Sequence, residues 1–242
     1  MSASLPEFNR GAIRPMECLR GGWELVKGDY WLFLGITVVG ILVGSVVPLG
    51  ILMGPMMCGI YMCYLRRMRG EQIEFGQLFK GFDYFGESVI ATLIQAVPIV
   101  VLIAPIYIVF FIGMSTLAPE RRSGRRTVSD PSSLITFLIV MGVVFLVVML
   151  IIMALSVLFV FSYPLIVDRK LSGVDAVKTS ARAIFGNIGG AAGLMFLNVL
   201  LGIVGLLFCY VGAFLWMPVG LAAWAIAYRQ VFPAQQEFNG GI

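Results

Sequence analysis

Residues 31–65 read WLFLGITVVGILVGSVVPLGILMGPMMCGIYMCYL, thirty-five residues without an Asp, Glu, Lys or Arg. An apolar helix needs about 20 residues to cross about 30 Å of hydrocarbon. The stretch is too long for one crossing and just long enough for two short ones, and Pro48, Gly50, Gly54 and Pro55 at its middle supply the turn. Working outward, residues 89–114 form one further apolar tract. Residues 134–167 form another with no central breaker, read as one long or tilted span with Tyr163-Pro164 near its end. A last tract, 188–228, divides near Cys209 and Gly212 into two. The expected fold is all-α: a polytopic membrane bundle in one integral membrane domain, 1–242, with six transmembrane helices at about 31–48, 50–66, 89–114, 134–164, 188–208 and 211–229.

Composition agrees with this class. Hydrophobic residues make up 60% of the chain and charged residues 12%, which excludes a soluble globule, a disordered chain and a nucleic-acid module. There is no histidine. Ser-His and Cys-His catalysis, His-ligated haem and imidazole zinc sites are therefore excluded. The four cysteines, Cys18, Cys58, Cys63 and Cys209, include no close pair suited to a metal, and read as small apolar filler. No cofactor is expected. All 13 carboxylates fall outside the six spans, and charges inside a membrane mark proton and ion pathways. Their absence argues against proton-coupled transport and against an enzyme.

The basic residues set the expected orientation. Thirteen of the 17 Lys and Arg fall on the segment before span 1, the loops 2–3 and 4–5, and the tail; four fall on the loop 115–133. The excess belongs on the cytoplasmic side, so both termini are expected to be cytoplasmic. A re-entrant hairpin of spans 3 and 4 is the alternative; it would bring the arginine loop back inside.

Each cytoplasmic segment carries an amphipathic stretch. Ala12, Met16, Leu19, Trp23 and Val26 share one helical face, as do Val174, Val177, Ala181 and Ile184. Ser172 with Asp175 marks the start of the second of these helices. Between spans 2 and 3, Phe75, Leu78, Phe79, Phe82 and Phe85 make an aromatic stripe. Such helices settle at a bilayer interface, with Trp23 and the four phenylalanines as anchors. The plainer alternative is that they only seal the end of the bundle.

A shift of 158 residues superposes Met16, Leu19, Trp23 and Val26 on Val174, Val177, Ala181 and Ile184, and Gly28-Asp29 on Gly186-Asn187. After an insertion of five, Pro55 falls on Pro218, Tyr61 on Trp224 and Arg66 on Arg229. The expectation is a parallel internal repeat with units 12–66 and 172–229. The run PLIVDRKLSGVDAVKTSARAIFGNIGG, residues 164–190, resembles a segment of bacterial multi-pass membrane proteins that include the YciC-like group and the membrane domain of some glycerophosphodiester phosphodiesterases. Ala176 and Ser180 fill that group's Ala-x-x-x-Ser slot. The resemblance covers roughly 160–230, with an echo in 12–66. It implies an architecture and a bacterial inner membrane more than an activity.

Few polar residues remain within the spans. Gln95 and Asn198 are the costliest to turn toward lipid and are expected to face the bundle, as glue between helices or as the lining of a path. Gly40 with Gly44, Gly50 with Gly54, and Gly189 with Gly193 put small residues on one face for close helix packing or dimerisation. Arg121, Arg122, Arg125 and Arg126 form a candidate anion patch for lipid headgroups, phosphate or an acidic polymer. Asp168-Arg169-Lys170 is a weak catalytic constellation, since the Asp lacks a His or a second carboxylate. The functional expectation is a non-enzymatic inner-membrane protein that organises lipid or protein partners through its cytoplasmic helices. The alternative is a passive channel or facilitator for a small solute or lipid. Expected partners are the bilayer, anionic headgroups, and a second copy or another membrane protein.

Overall fold

The computed structural model describes residues 6–47, 50–117, 121–122, 125–126, 131–207 and 211–234. The described chain is helical apart from a two-residue antiparallel ladder, β1 (Arg121–Arg122) with β2 (Arg125–Arg126). Five stretches are long and apolar enough to cross a membrane: Pro15–Val46, Phe75–Ser115, Leu134–Arg169, Ile188–Leu207 and Val211–Val231.

The chain forms two compact units, 1–94 with 157–242, and 95–156. In the first unit, α1 (Pro15–Val26) starts with proline at its first position, where the missing N–H costs nothing. A 3-10 turn, Lys27–Asp29, leads into α2 (Tyr30–Val46). The chain turns at Gly50, whose φ of 65° suits glycine, and returns as α3 (Met53–Met68). This helix stops at Gly70, φ 78°, whose N–H bonds back to the Arg67 carbonyl at 3.0 Å. The aromatic segment Phe75–Tyr84 follows as 3-10 turns and runs into α4 (Phe85–Leu117). After α5 (Pro131–Leu158), the short α6 (Ser162–Arg169) precedes α7 (Gly173–Phe185). Then come α8 (Ile188–Leu207) and α9 (Val211–Val231). The break between α5 and α6 is held by Ser180: its hydroxyl donates to the Leu158 carbonyl (2.7 Å) and accepts from the Phe161 N–H (3.1 Å). Ser172 caps α7 by accepting from the Asp175 N–H at 3.2 Å.

Two antiparallel hairpins, α2–α3 and α8–α9, organise this unit. In α2, Gly40 and Gly44 face α3; a Cβ on Gly40 would lie 2.8 Å from Ile60 Cδ1, and one on Gly44 3.0 Å from Met53 Cα. That is the close approach expected of this pair of glycines. The second pair falls one residue out of register. A Cβ on Gly189 would meet nothing, whereas one on its neighbour Gly190 would lie 2.4 Å from the Ile13 carbonyl, and one on Gly193 3.0 Å from Pro15 Cγ. Gly189 has open space beside it. Gly54 lets the Ser88 carbonyl approach, while Gly50 serves the turn.

Each second helix carries a covering segment in a groove of small residues. On α9 the cover is α1: Gly22 sits against Val219 and Ala223, and Cys18 against Gln230. On α3 it is the aromatic segment: Gly59 receives the Leu78 carbonyl, and Gly81 lies against Pro55 and Gly59. The segments expected to be interfacial therefore divide their residues between protein contact and the surroundings. In α1 the buried residues are Cys18, Gly22 and Val26, while Met16 and Trp23 are exposed. In the aromatic segment Leu78 is fully buried, while Phe75, Phe79, Phe82 and Phe85 are exposed. Helix α7 also turns differently: Ala176, Thr179, Ser180 and Ala183 are buried beside Val177 and Ile184, and Val174 is exposed. Backbone approach selects small residues, and apolar bulk is left for the surroundings.

In the second unit, the C-terminal part of α4 carries Pro98 and Pro105, and most of α5 belongs to the same unit. The Phe137 ring fills the space left by Gly113 and stacks on Phe110 at 6.2 Å. Val101, Phe111, Ile139 and Leu146 are among the many exposed apolar side chains here.

Candidate functional site

The polar chemistry of the first unit collects where its helices begin and end. Asp168, at the end of α6, accepts both arms of the Arg229 guanidinium, at 2.7 and 2.9 Å, and the Tyr228 hydroxyl at 2.8 Å. Its side chain is 12% exposed and that of Arg229 18%. Arg169 stands 3.6 Å from the same carboxylate and donates to the Pro233 carbonyl at 2.7 Å. Both carboxylate oxygens are therefore engaged. A fork-on-fork pair in a partly buried setting is rigid and strongly oriented. Asp168 thus clamps α6 to α9. Lys170 does not join it; it is exposed and takes the left-handed conformation (φ 52°) that ends α6.

Asn187, 3% exposed ahead of α8, is a second fixed point. Its Nδ2 donates to the Asn9 carbonyl (3.0 Å) and the Ala183 carbonyl (2.8 Å), and its Oδ1 accepts from the Ala12 N–H (2.7 Å). The Asn9 N–H in turn donates to the Val231 carbonyl at 2.9 Å, and the Arg14 N–H to Gln230 Oε1 at 3.0 Å. The segment before α1 thus ties the start of α8 to the end of α9. The other hairpin closes by charge: Arg67 at the end of α3 pairs with Asp29 at the start of α2, 2.7 Å apart.

Around these fixed points lie the exposed aromatic anchors. The outer surface of α1 divides into an apolar sector with Met16 and Trp23 and a charged sector with Glu17, Arg20, Glu24 and Lys27. Trp31, at the start of α2, is 76% exposed. The four phenylalanines expected as anchors are all exposed and pair among themselves, Phe75 with Phe79 at 6.3 Å and Phe82 with Phe85 at 6.4 Å. Indole and phenyl rings beside charged side chains suit the headgroup level of a bilayer.

The polar residues within the apolar helices are mostly satisfied at home. Ser45, Thr136 and Ser156 donate to carbonyls of their own helices at 2.8 Å. Asn198 donates to the Leu194 carbonyl at 3.1 Å, and Gly220 leaves space for its Oδ1, so it lies in the α8–α9 contact. Gln95 is half-buried on α4. Other bonds cross between helices: Thr37 with the Tyr64 hydroxyl, which donates to the Pro218 carbonyl, Thr92 with Tyr163, and the Tyr30 hydroxyl to the Leu215 carbonyl. Such contacts fasten helices to one another. The anion-patch arginines, Arg121, Arg122, Arg125 and Arg126, lie on the small ladder by their backbone. Their side chains, on which that reading turns, fall outside the described residues, as does Cys209.

Sequence reading placed Asp168 beside Arg169 and Lys170 but missed Tyr228 and Arg229, 60 and 61 positions away. The cue was available in Arg229 closing an apolar tract, where a charge needs a partner. Asn187 was read only as a helix stop. The chain matches no protein-family model, no curated protein and no solved structure.

Proposed function

We propose that this is a non-enzymatic membrane protein that organises lipid at one face of a bacterial inner membrane through α1, the aromatic segment and α7. The observation that carries this reading is the outward placement of Trp23, Phe75, Phe79, Phe82 and Phe85 beside charged side chains, on segments whose inner faces are committed to α9 and α3. Apolar rings left in the open next to charge are what an interfacial segment needs and a merely sealing one does not.

Both termini are cytoplasmic in this reading, and α3 is the sixth span. At 16 residues α3 is about 24 Å long. It is buried among neighbours along nearly its whole length, so it need not carry the uniform apolar surface of a lipid-facing helix. The Asp29–Arg67 pair supports this: the end of α3 comes back to the level at which α2 begins, as in a crossing and its return. The parallel repeat is part of the same proposal, supported by two hairpins that each carry a covering segment in a small-residue groove. The likeness to the YciC-like group accords with that architecture.

Purified protein in vesicles containing donor- and acceptor-labelled anionic lipid tests the function. The expected result is increased energy transfer with the wild-type chain and loss of the increase with Trp23→Glu plus Phe79→Glu, both proteins inserting equally. Equal transfer from the double variant and the wild type would sink the reading.

A further inference from the structure

A cleft of about 370 Å³ opens between the segment before α1 and helix α7, lined by Pro6, Glu7, Phe8, Arg10, Thr179 and Arg182. Its volume lies in the range of small-ligand sites. The walls are fixed by main-chain contacts: the Gly11 N–H donates to the Gly186 carbonyl at 3.1 Å, and Asn187 holds the Asn9 carbonyl. The two arginines come from opposite walls. Among the described residues neither makes an ion pair, and neither does Glu7. Thr179 is 1% exposed, and its hydroxyl has no hydrogen-bond partner. A buried hydroxyl without a partner is costly unless something else completes it.

We infer that this cleft binds the phosphodiester of a phospholipid headgroup, with Arg10 and Arg182 clasping its oxygens and Thr179 donating its hydroxyl. Guanidinium groups match phosphate oxygens in geometry and charge. Glu7 offsets one arginine, leaving the lining with a single net positive charge, which matches a singly charged diester better than a doubly charged monoester. Two observations favour lipid over free phosphate. Phe185, one turn beyond Arg182, is exposed, and α8, an apolar helix long enough to span, begins at Ile188, also exposed. A headgroup in the cleft thus has apolar surface beside it for its chains. The choice of lipid as the source rests on the membrane-face reading above; the phosphate contact itself rests on the cleft.

The test uses the full chain in detergent, titrated with dioctanoyl phosphatidylglycerol, with its chain-free glycerophosphoglycerol headgroup, and with inorganic phosphate, each followed by calorimetry. The expected order is lipid tightest and inorganic phosphate weakest, with lipid affinity falling about tenfold in Arg10→Ala plus Arg182→Ala. Thr179→Val should weaken lipid binding several-fold while melting no earlier than the wild type. Undiminished lipid binding by the double arginine variant would overturn the site, and inorganic phosphate binding as tightly as the lipid would overturn the lipid source. Trp23→Glu plus Phe79→Glu leaves the cleft untouched and should bind the short-chain lipid normally, so failure of this proposal is distinguishable from failure of the functional reading.

Discussion

The two hairpins of the first unit use one device in two degrees. In α8–α9, the second helix is exposed at Val211, Phe214 and Leu215 and becomes buried from Pro218 onward, where α1 lies on it. In α2–α3, the second helix is five residues shorter and buried almost throughout, because the aromatic segment covers it while α2 and α6 pack on it too. The closure differs as well: α2–α3 is shut by one ion pair, and α8–α9 by a network that runs through Asn187, the segment before α1, Gln230 and the Asp168 clamp. A helix covered on every side can tolerate polar and small residues that a lipid-facing helix cannot. The comparison teaches that length and hydropathy report on lipid contact, and say little about helices that other helices enclose.

Substitutions that separate the two grooves test this contrast. The largest effect is expected at Gly59, where a Cβ would lie 1.9 Å from the Leu78 carbonyl oxygen. Gly59→Ala should displace the aromatic segment and cost about 3 kcal/mol or more in an SDS-unfolding titration; a loss under about 1 kcal/mol would mean that the segment is not seated on α3. Next comes the clamp of the other hairpin. Arg229→Met leaves Asp168 partly buried without its bidentate partner, with only Arg169 at 3.6 Å, and should cost up to about 3 kcal/mol, with Asp168→Asn milder because the Tyr228 contact survives. Gly22→Ala in the α9 groove is expected to cost about 1–2 kcal/mol, since its Cβ would approach Ala223 N only to 2.8 Å. Gly189→Ala should cost nothing and gain up to about 0.5 kcal/mol from helix propensity, with an open surface around it. A cost at Gly189 equal to that at Gly22 would erase the distinction between groove glycines and surface glycines.

The same contrast explains what the sequence made legible. Long apolar runs and turn residues identified the helical class, and Gly40 and Gly44, paired by their spacing, lie against Ile60 and Met53. The faces by which α1 and the aromatic segment pack on α9 and α3 were not legible, because periodicity detects an apolar face without saying whether protein or lipid covers it. Met16 and Trp23, on the stripe read as interfacial, are exposed, whereas Cys18 and Gly22, off that stripe, are buried. Gly59 and Gly81 escaped notice because their partner is backbone of a neighbouring segment, which leaves no spacing signal. The Asp168 clamp and the Arg10–Arg182 cleft each join residues far apart in the chain, 61 and 172 positions, so no local motif announces either.

The central claim is that the charged and aromatic segments work at one membrane face, with α3 completing an even number of crossings. Its most direct test is two-sided labelling of single cysteines at Arg20, Glu74 and Ser123, in intact cells and in inverted vesicles, with the native cysteines replaced. Arg20→Cys and Glu74→Cys should react with a membrane-impermeant maleimide only from the cytoplasmic side, and Ser123→Cys only from the opposite side. Reaction of Ser123→Cys from the cytoplasmic side, or of Glu74→Cys and Arg20→Cys from different sides, would contradict it.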